Sequence, residues 1–239
     1  MLHNLEFSVF HVFAVARRGN LNEYLPLYRA ALKGDWPAAA KIIDDDNSIV
    51  TARITVFLKT ALHVAAGAGR AEFVKKLVEK MEAEDLEIED DNGHTALFFA
   101  ALAGCKESAE AMVTKNPNLT QKTNHADVTA VLYASLCGGK DVLKYLCSMT
   151  RNEEPSWPFS GEAGGRLLNN TIASGFYDVA LDLVDRFPDL ATGRDESGVT
   201  TLDVLAQRPA AVPQWKRTFS VSKPYLLMLV SSTHPFLAS

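Results

Sequence analysis

The stretches TALHVAAGAG (60–69), TALFFAALAG (95–104) and TAVLYASLCG (129–138) repeat one pattern, with Thr at the start, small residues in the middle and Gly nine positions on. Weaker copies keep the frame on either side: LPLYRAALKG (25–34) upstream and RLLNNTIASG (166–175) downstream, with a sixth start, TTLDVLAQRP, at Thr200. Successive starts are separated by 35, 35, 34, 37 and 34 residues, too even a step for unrelated motifs. A fixed period of this size marks a stacked-repeat architecture, in which each unit buries its apolar face only against its neighbours.

Each column has a physical reason. Thr60, Thr95, Thr129 and Thr200 stand where a helix needs an N-cap hydroxyl for its orphan N–H groups. Pro26 occupies the next position in the first copy, where a missing N–H costs nothing. The small pairs Ala30/Ala31, Ala65/Ala66, Ala100/Ala101 and Ala134/Ser135 let neighbouring backbones approach. Gly34, Gly69, Gly104, Gly138 and Gly175 suit a left-handed helix stop. Helical periodicity then predicts a second helix through Phe73, Val74, Leu77, Val78, and again through Val142, Leu143, Leu146, Cys147 and Val179, Ala180, Leu183, Val184. Polar turns such as Asp90-Asp91-Asn92-Gly93 and Asp195-Glu196-Ser197-Gly198 fit hairpin tips between repeats. The expected fold is all-α, a solenoid of helix-turn-helix pairs with short β-hairpin fingers.

Composition narrows the function classes. The chain has 239 residues and a formal net charge of −5, which supplies no basic field for nucleic acid. Three cysteines, Cys105, Cys137 and Cys147, are too few and too scattered for a disulfide framework and point to a reducing compartment. The longest apolar run, Ala96 to Cys105, is ten residues against the roughly 20 needed to cross a bilayer. In residues 5–16 the charges of Arg17 and Arg18 follow the apolar run, the wrong order for a secretory leader. The expectation is a cytosolic, cytoplasmic chain without direct membrane insertion. It divides into an N-terminal extension (1–23), helical or partly disordered, a repeat domain (24–210) of five repeats and a partial sixth, and a divergent disordered tail (211–239).

The stretch Thr60-Ala61-Leu62-His63-Val64-Ala65 matches T-P-L-H-x-A with Ala61 for Pro, and on these residues and the period the chain resembles the ankyrin-repeat proteins over about residues 24–210. YLPLYRAALKGDWPAAAKII (24–43) and TTLDVLAQRP (200–209) are similar to the plant membrane-anchored subfamily linked to stress and defence signalling. Members of that subfamily carry a C-terminal four-helix membrane domain, which this sequence lacks after about Trp215. The resemblance implies a protein-binding module working through its concave groove, with a truncated or spliced form of an anchored regulator as the alternative. Recruitment by a membrane-anchored relative then stays open. It also implies that His63 hydrogen-bonds between neighbouring repeats.

Residue chemistry offers little else. The His63 column reads Tyr28, Phe98, Leu132, Asn169 and Asp203 in other copies, which is no ligand set, and no zinc-type spacing occurs. No Asn or Asp stands where it would orient a His beside a Cys nucleophile, so no catalytic site, cofactor or metal is expected. Gly67-Ala68-Gly69 closes a helix, whereas a phosphate loop must open one. The seven carboxylates between Glu82 and Asp91 read as a solvated finger or a contact for a basic partner. Sequons occur at Asn118 and Asn169, and a basic-directed phosphosite at Arg217–Ser220.

Two departures from the pattern concern turns. A Gly is expected two residues before each start, and Gly93, Gly164 and Gly198 supply it, but Leu58 and Asp127 replace it in two copies. Those tips are expected to be looser or differently turned, since a branched side chain tolerates positive φ poorly. The insertion Glu153–Phe159 is expected to fold its aromatic pair back onto the helices or present it to a partner. Carrying the family's concave face over position by position selects Tyr24, Leu32, Lys33, Phe57, Lys59, Asp91, Asn92, His94, Leu102, His125, Val128 and Leu136 as partner-binding residues. The seventh position after each start reads Leu32, Gly67, Leu102, Leu136, Ala173, either an apolar docking stripe or inter-repeat packing.

Overall fold

The computed structural model describes residues 21–207 except Gly138 and Pro155. The expectations for residues 1–20, for the tail from 208 onward, for Gly138 and for the Cys137 side chain lie outside the described residues. Two compact units divide after Thr150.

The first unit holds four helix pairs: α1 (Leu25–Lys33) with α2 (Trp36–Asp45), α3 (Ala61–Gly67) with α4 (Ala71–Lys80), α5 (Ala96–Ala103) with α6 (Lys106–Lys115), and α7 (Ala130–Cys137) with α8 (Lys140–Met149). First helices stack on one another in order, and the second helices α4, α6 and α8 form the outer layer. A helix with neighbours on both flanks has little free surface, which is why Ala61 through Ala66 are all buried. Ala65, Ala66, Ala100, Ala101, Ala134 and Ser135 have no exposed surface, so the small columns serve close approach. The outer helices bury one stripe each, at Phe73, Val74, Leu77 and Val78 on α4 and at Val142, Leu143, Leu146 and Cys147 on α8. Each larger side chain so placed contributes about 1.5–3 kcal/mol. The second unit holds α9 (Gly161–Ala173), α10 (Tyr177–Arg186) and α11 (Thr201–Ala206), with Val179, Ala180, Leu183 and Val184 as its buried stripe. No helix among the described residues is long and apolar enough to cross a membrane.

Helices begin one residue after Thr60, Thr95, Thr129 and Thr200, and the stops at Gly34, Gly69, Gly104 and Gly175 take φ of 78°, 67°, 70° and 79°. The caps are not uniform. At Thr200 the hydroxyl and N–H both donate to Asp203 Oδ2 at 2.7 and 2.8 Å. At Thr60 the N–H donates to His63 Nδ1 at 3.2 Å and the hydroxyl lies 2.8 Å from the same nitrogen. Phe98 fills the corresponding third helical position after Thr95, and the buried Thr95 hydroxyl has no partner. The reciprocal bond of a capping box needs a polar side chain three residues on, which His63 and Asp203 supply and Phe98 does not.

The fingers between pairs are turns and not strands: the described residues contain only isolated antiparallel bridges, Thr123 with Thr129 and Arg194 with Thr200. Four tips turn alike, with the carbonyls of Thr55, Asp90, Asn124 and Asp195 accepting from the N–H of Leu58, Gly93, Asp127 and Gly198 at 3.1, 3.1, 3.0 and 2.8 Å. This corrects the expectation for two of them. Leu58 and Asp127 are neither looser nor differently turned; they take φ of 58° and 54°, beside 78° at Gly93 and 75° at Gly198. Gly164 is a second correction, since it lies inside α9 and not at a tip. An added Cβ there would come within 2.5 Å of Leu190 and 2.7 Å of the Phe159 backbone, so this glycine serves close packing. In the inserted segment the aromatic pair splits: Phe159 is buried and stacked on Phe187 at 4.8 Å, whereas Trp157 is 47% exposed.

Candidate protein-binding surface

The fingers are built from a side-chain device. An Asp or Asn five residues before the Thr folds its carboxylate or amide oxygen over the tip and accepts from two backbone N–H groups. Asp90 takes those of Asn92 and His94 at 2.9 and 3.0 Å. Asn124 takes those of Ala126 and Val128, both at 3.0 Å, and Asp195 those of Ser197 and Val199 at 2.9 and 3.0 Å. Thr55 substitutes in the earliest finger, its hydroxyl accepting from the Lys59 N–H at 3.0 Å. Neighbouring fingers are then tied backbone to backbone, Asp91 N–H to the Phe57 carbonyl and His125 N–H to the Asn92 carbonyl, each 3.1 Å.

His63 links one repeat to the next finger, as the resemblance implies: its Nε2 lies 3.1 Å from the His94 carbonyl, a group that only accepts. The Thr60 N–H, which only donates, faces Nδ1. Together they assign the neutral Nε2–H tautomer, and burial pushes the pKa down from 6.5 to about 4. Asn169 does the same work in the second unit, donating to Asp195 Oδ2 and the Val199 carbonyl. Its sequon is therefore buried in the folded chain, at 5% exposure.

Around this scaffold lies an aromatic and polar cluster. The His94 ring sits 3.3 Å from Asp90 Oδ1 on one side and 2.9 Å from the Tyr133 hydroxyl on the other, with the Asn124 amide donating to its Nε2 at 3.0 Å. Burial works against the Asp90 carboxylate, but hydrogen bonds from the His94 ring and from the His94 and Asn92 N–H groups outweigh it and bring the pKa down to about 2. The Lys59 ammonium rests over Phe99 at 4.4 Å and near Phe57 at 5.9 Å. Its pKa is lowered by burial, with Asp90 and Asp91 partly restoring it.

The expected site residues sort by this geometry. Phe57, Asp91, Asn92, Leu102, His125, Leu136 and Lys33 are exposed, and Tyr24, Leu32, Lys59 and Val128 are half-buried. Phe57, Lys59, Asp91, Asn92 and His125 are brought together through the finger contacts above. Among the described residues no hydrogen bond or ring contact joins Tyr24, Leu32 and Lys33 to that group. His94 faces inward, so its ring organises the finger and presents little surface. Sequence reasoning missed Phe99, Tyr133 and Asn124. The recurring Asp or Asn before each tip was the available signal for the last of these. The acidic stretch is also less uniform than expected. Glu87 pairs with Lys122 at 2.6 Å, Asp85 accepts from the Glu82 N–H at 2.8 Å, and Asp90 is internal, while Glu82, Glu84 and Asp91 stay exposed.

The family model described as ankyrin repeats (3 copies) matches residues 27–123 and 62–156, together more than half of the chain. The E3 ubiquitin-protein ligase KEG of Arabidopsis thaliana is 24% identical over 213 residues, which are 83% of this chain and 12% of that protein. The chain thus spans a small part of the curated relative it matches. Stacked helix pairs at an even step, Asx-locked fingers and the family match agree: this chain belongs to the ankyrin-repeat family.

Proposed function

We propose that this chain is a non-enzymatic signalling adaptor that binds a partner protein through its fingers and the outward ends of its first helices. Ankyrin repeats are protein-interaction modules, and one observation carries the more specific reading. Leu102 and Leu136, at equivalent places on the adjacent helices α5 and α7, are 39% and 52% exposed. On α5 Leu97 and Phe98 are buried and Phe99 is half-buried, which leaves Leu102 the most exposed large side chain of that helix. An apolar stripe left in water on an otherwise well-packed helix is a surface that a partner would cover. Phe57, Lys59, Asp91, Asn92, His125 and Val128 would form its finger-side rim, with Leu32, Lys33 and Tyr24 continuing it along the first repeat. The similarity of 24–43 and 200–209 to plant anchored proteins gives the reading its setting, plant stress and defence signalling.

The test is affinity capture with the tagged chain beside a Leu102→Glu/Leu136→Glu double variant whose circular dichroism and unfolding midpoint match the parent. The expected result is a partner retained by the parent and lost by the variant. Equal recovery of that partner with both proteins would place binding elsewhere and overturn the reading.

A further inference from the structure

The four tips with left-handed backbone carry Leu58, Gly93, Asp127 and Gly198 at one equivalent position. Glycine enters that region freely and Asp tolerates it, but a leucine there is strained. The chain therefore holds a leucine where it elsewhere uses glycine for the same turn. Burial does not repay the strain, because Leu58 is 38% exposed and Phe57 beside it 40%. The surrounding backbone is nevertheless locked. Arg53 Nη1 donates to the Leu58 carbonyl at 3.0 Å and to the Glu89 carbonyl, and the Phe57 carbonyl accepts from Asp91 N–H at 3.1 Å. The Leu58 N–H donates to the Thr55 carbonyl at 3.1 Å. Two large apolar side chains are thus displayed on a turn that has little ordering left to lose on binding, and strain that neighbours over-determine gathers at functional places.

We propose that Phe57–Leu58 is an apolar anchor that inserts into a pocket of a protein partner, the pocket rimmed by carboxylates. The proposal rests on the interaction-module reading and adds Leu58 and the chemistry of the recognised surface. Charge selects the rim: residues 52–59 carry Arg53 and Lys59 and no acid, whereas residues 88–94 of the next finger carry Glu89, Asp90 and Asp91 and no Lys or Arg. A pocket with acidic groups on the Arg53 side fits the anchor. A broad anionic surface such as a lipid headgroup layer would also meet Asp91, exposed on the adjoining finger, and fits it less well.

The experiment places the photo-cross-linker p-benzoylphenylalanine at position 57 of the full chain, alone, with Leu58→Gly, and with Leu102→Glu/Leu136→Glu. The expected result is one discrete protein adduct, mapped to a peptide lining an apolar cleft with Asp or Glu at its edge. Leu58→Gly should weaken that adduct about tenfold or more, the effect of one lost anchor contact. The same change should raise the thermal midpoint by about 2 °C as the turn relaxes. An adduct undiminished by Leu58→Gly, or an unchanged or lower midpoint, overturns the anchor. A partner captured by the parent, lost with Leu102→Glu/Leu136→Glu and never cross-linked from position 57 overturns the anchor and leaves the adaptor reading standing. Absence of any partner removes both. Sedimentation with phosphatidylserine-containing vesicles that Leu58→Gly abolishes, without a protein adduct, assigns the tip to lipid and also overturns the proposal.

Discussion

Acidification should destabilise this chain through one buried ring. His63 is 2% exposed; its Nδ1 faces the Thr60 N–H at 3.2 Å and the Thr60 hydroxyl at 2.8 Å, and its Nε2 faces an acceptor, the His94 carbonyl, at 3.1 Å. A second proton would have to enter at Nδ1, against the Thr60 N–H and inside the core, so burial holds the folded pKa at about 4. In the unfolded chain the ring titrates near 6.5. The folded pKa lies below the unfolded one, so between them the unfolded state binds the extra proton and stability falls with pH. The contribution is complete above about pH 6.5 and is lost as pH falls through about 4. Integration gives about 1.3 kcal/mol lost from pH 7.5 to 5.5 and about 2.5 kcal/mol by pH 4.5, with a limit near 3.4 kcal/mol. Asp90, held at about 2, keeps its charge across this range and makes its own loss only below it. The comparator is His63→Gln, whose amide can accept from Thr60 N–H and donate to the His94 carbonyl but takes up no proton. Urea unfolding of both proteins at pH 7.5, 5.5 and 4.5 should show the parent losing about 2.5 kcal/mol more than the variant. Parallel pH profiles, agreeing within about 0.5 kcal/mol, would refute the assignment of a neutral, buried His63.

Two further substitutions test the fingers and the caps. Gly93→Ala should cost about 2–3 kcal/mol by urea unfolding, because φ is 78° and the new Cβ would lie 2.6 Å from His125 Cδ2 and 2.8 Å from the His125 nitrogen that ties the next finger to the Asn92 carbonyl; a loss under about 0.5 kcal/mol would show that the tip yields easily. Thr95→Val removes a buried hydroxyl without a partner and should stabilise by about 1 kcal/mol. Thr200→Val, which deletes a 2.7 Å bond to Asp203, should destabilise by about as much. Changes of the same sign in the two variants would mean that the hydroxyl, and not its partner at the third helical position, decides the cap.

The period was legible because each column answers a separate need of the backbone, and so the helix starts after Thr60, Thr95, Thr129 and Thr200 could be read from local sequence. Side-chain direction could not, because it is settled by residues from the next repeat. His94 faces inward because Asn124 and Tyr133, 30 and 39 residues further along, hold its ring. Leu58 stays left-handed because Arg53 and a bond from Asp91 across the finger boundary hold the tip, so the conformation follows the neighbours and not the residue's own preference. Gly164 misled because a turn glycine and a packing glycine look alike until the Phe159 backbone and Leu190 are seen against it. The same reasoning bears on the surface. A repeat fixes its backbone through the columns it shares, so positions that keep the shared conformation with an unsuitable residue are those where the side chain has another use. Leu58, at φ 58° with 38% exposure, meets that condition. Asp127 does not, since Asp enters the left-handed region with less strain. Contrast with the repeat, more than agreement with it, therefore separates the residues that make this chain an ankyrin protein from those that would give it a particular partner.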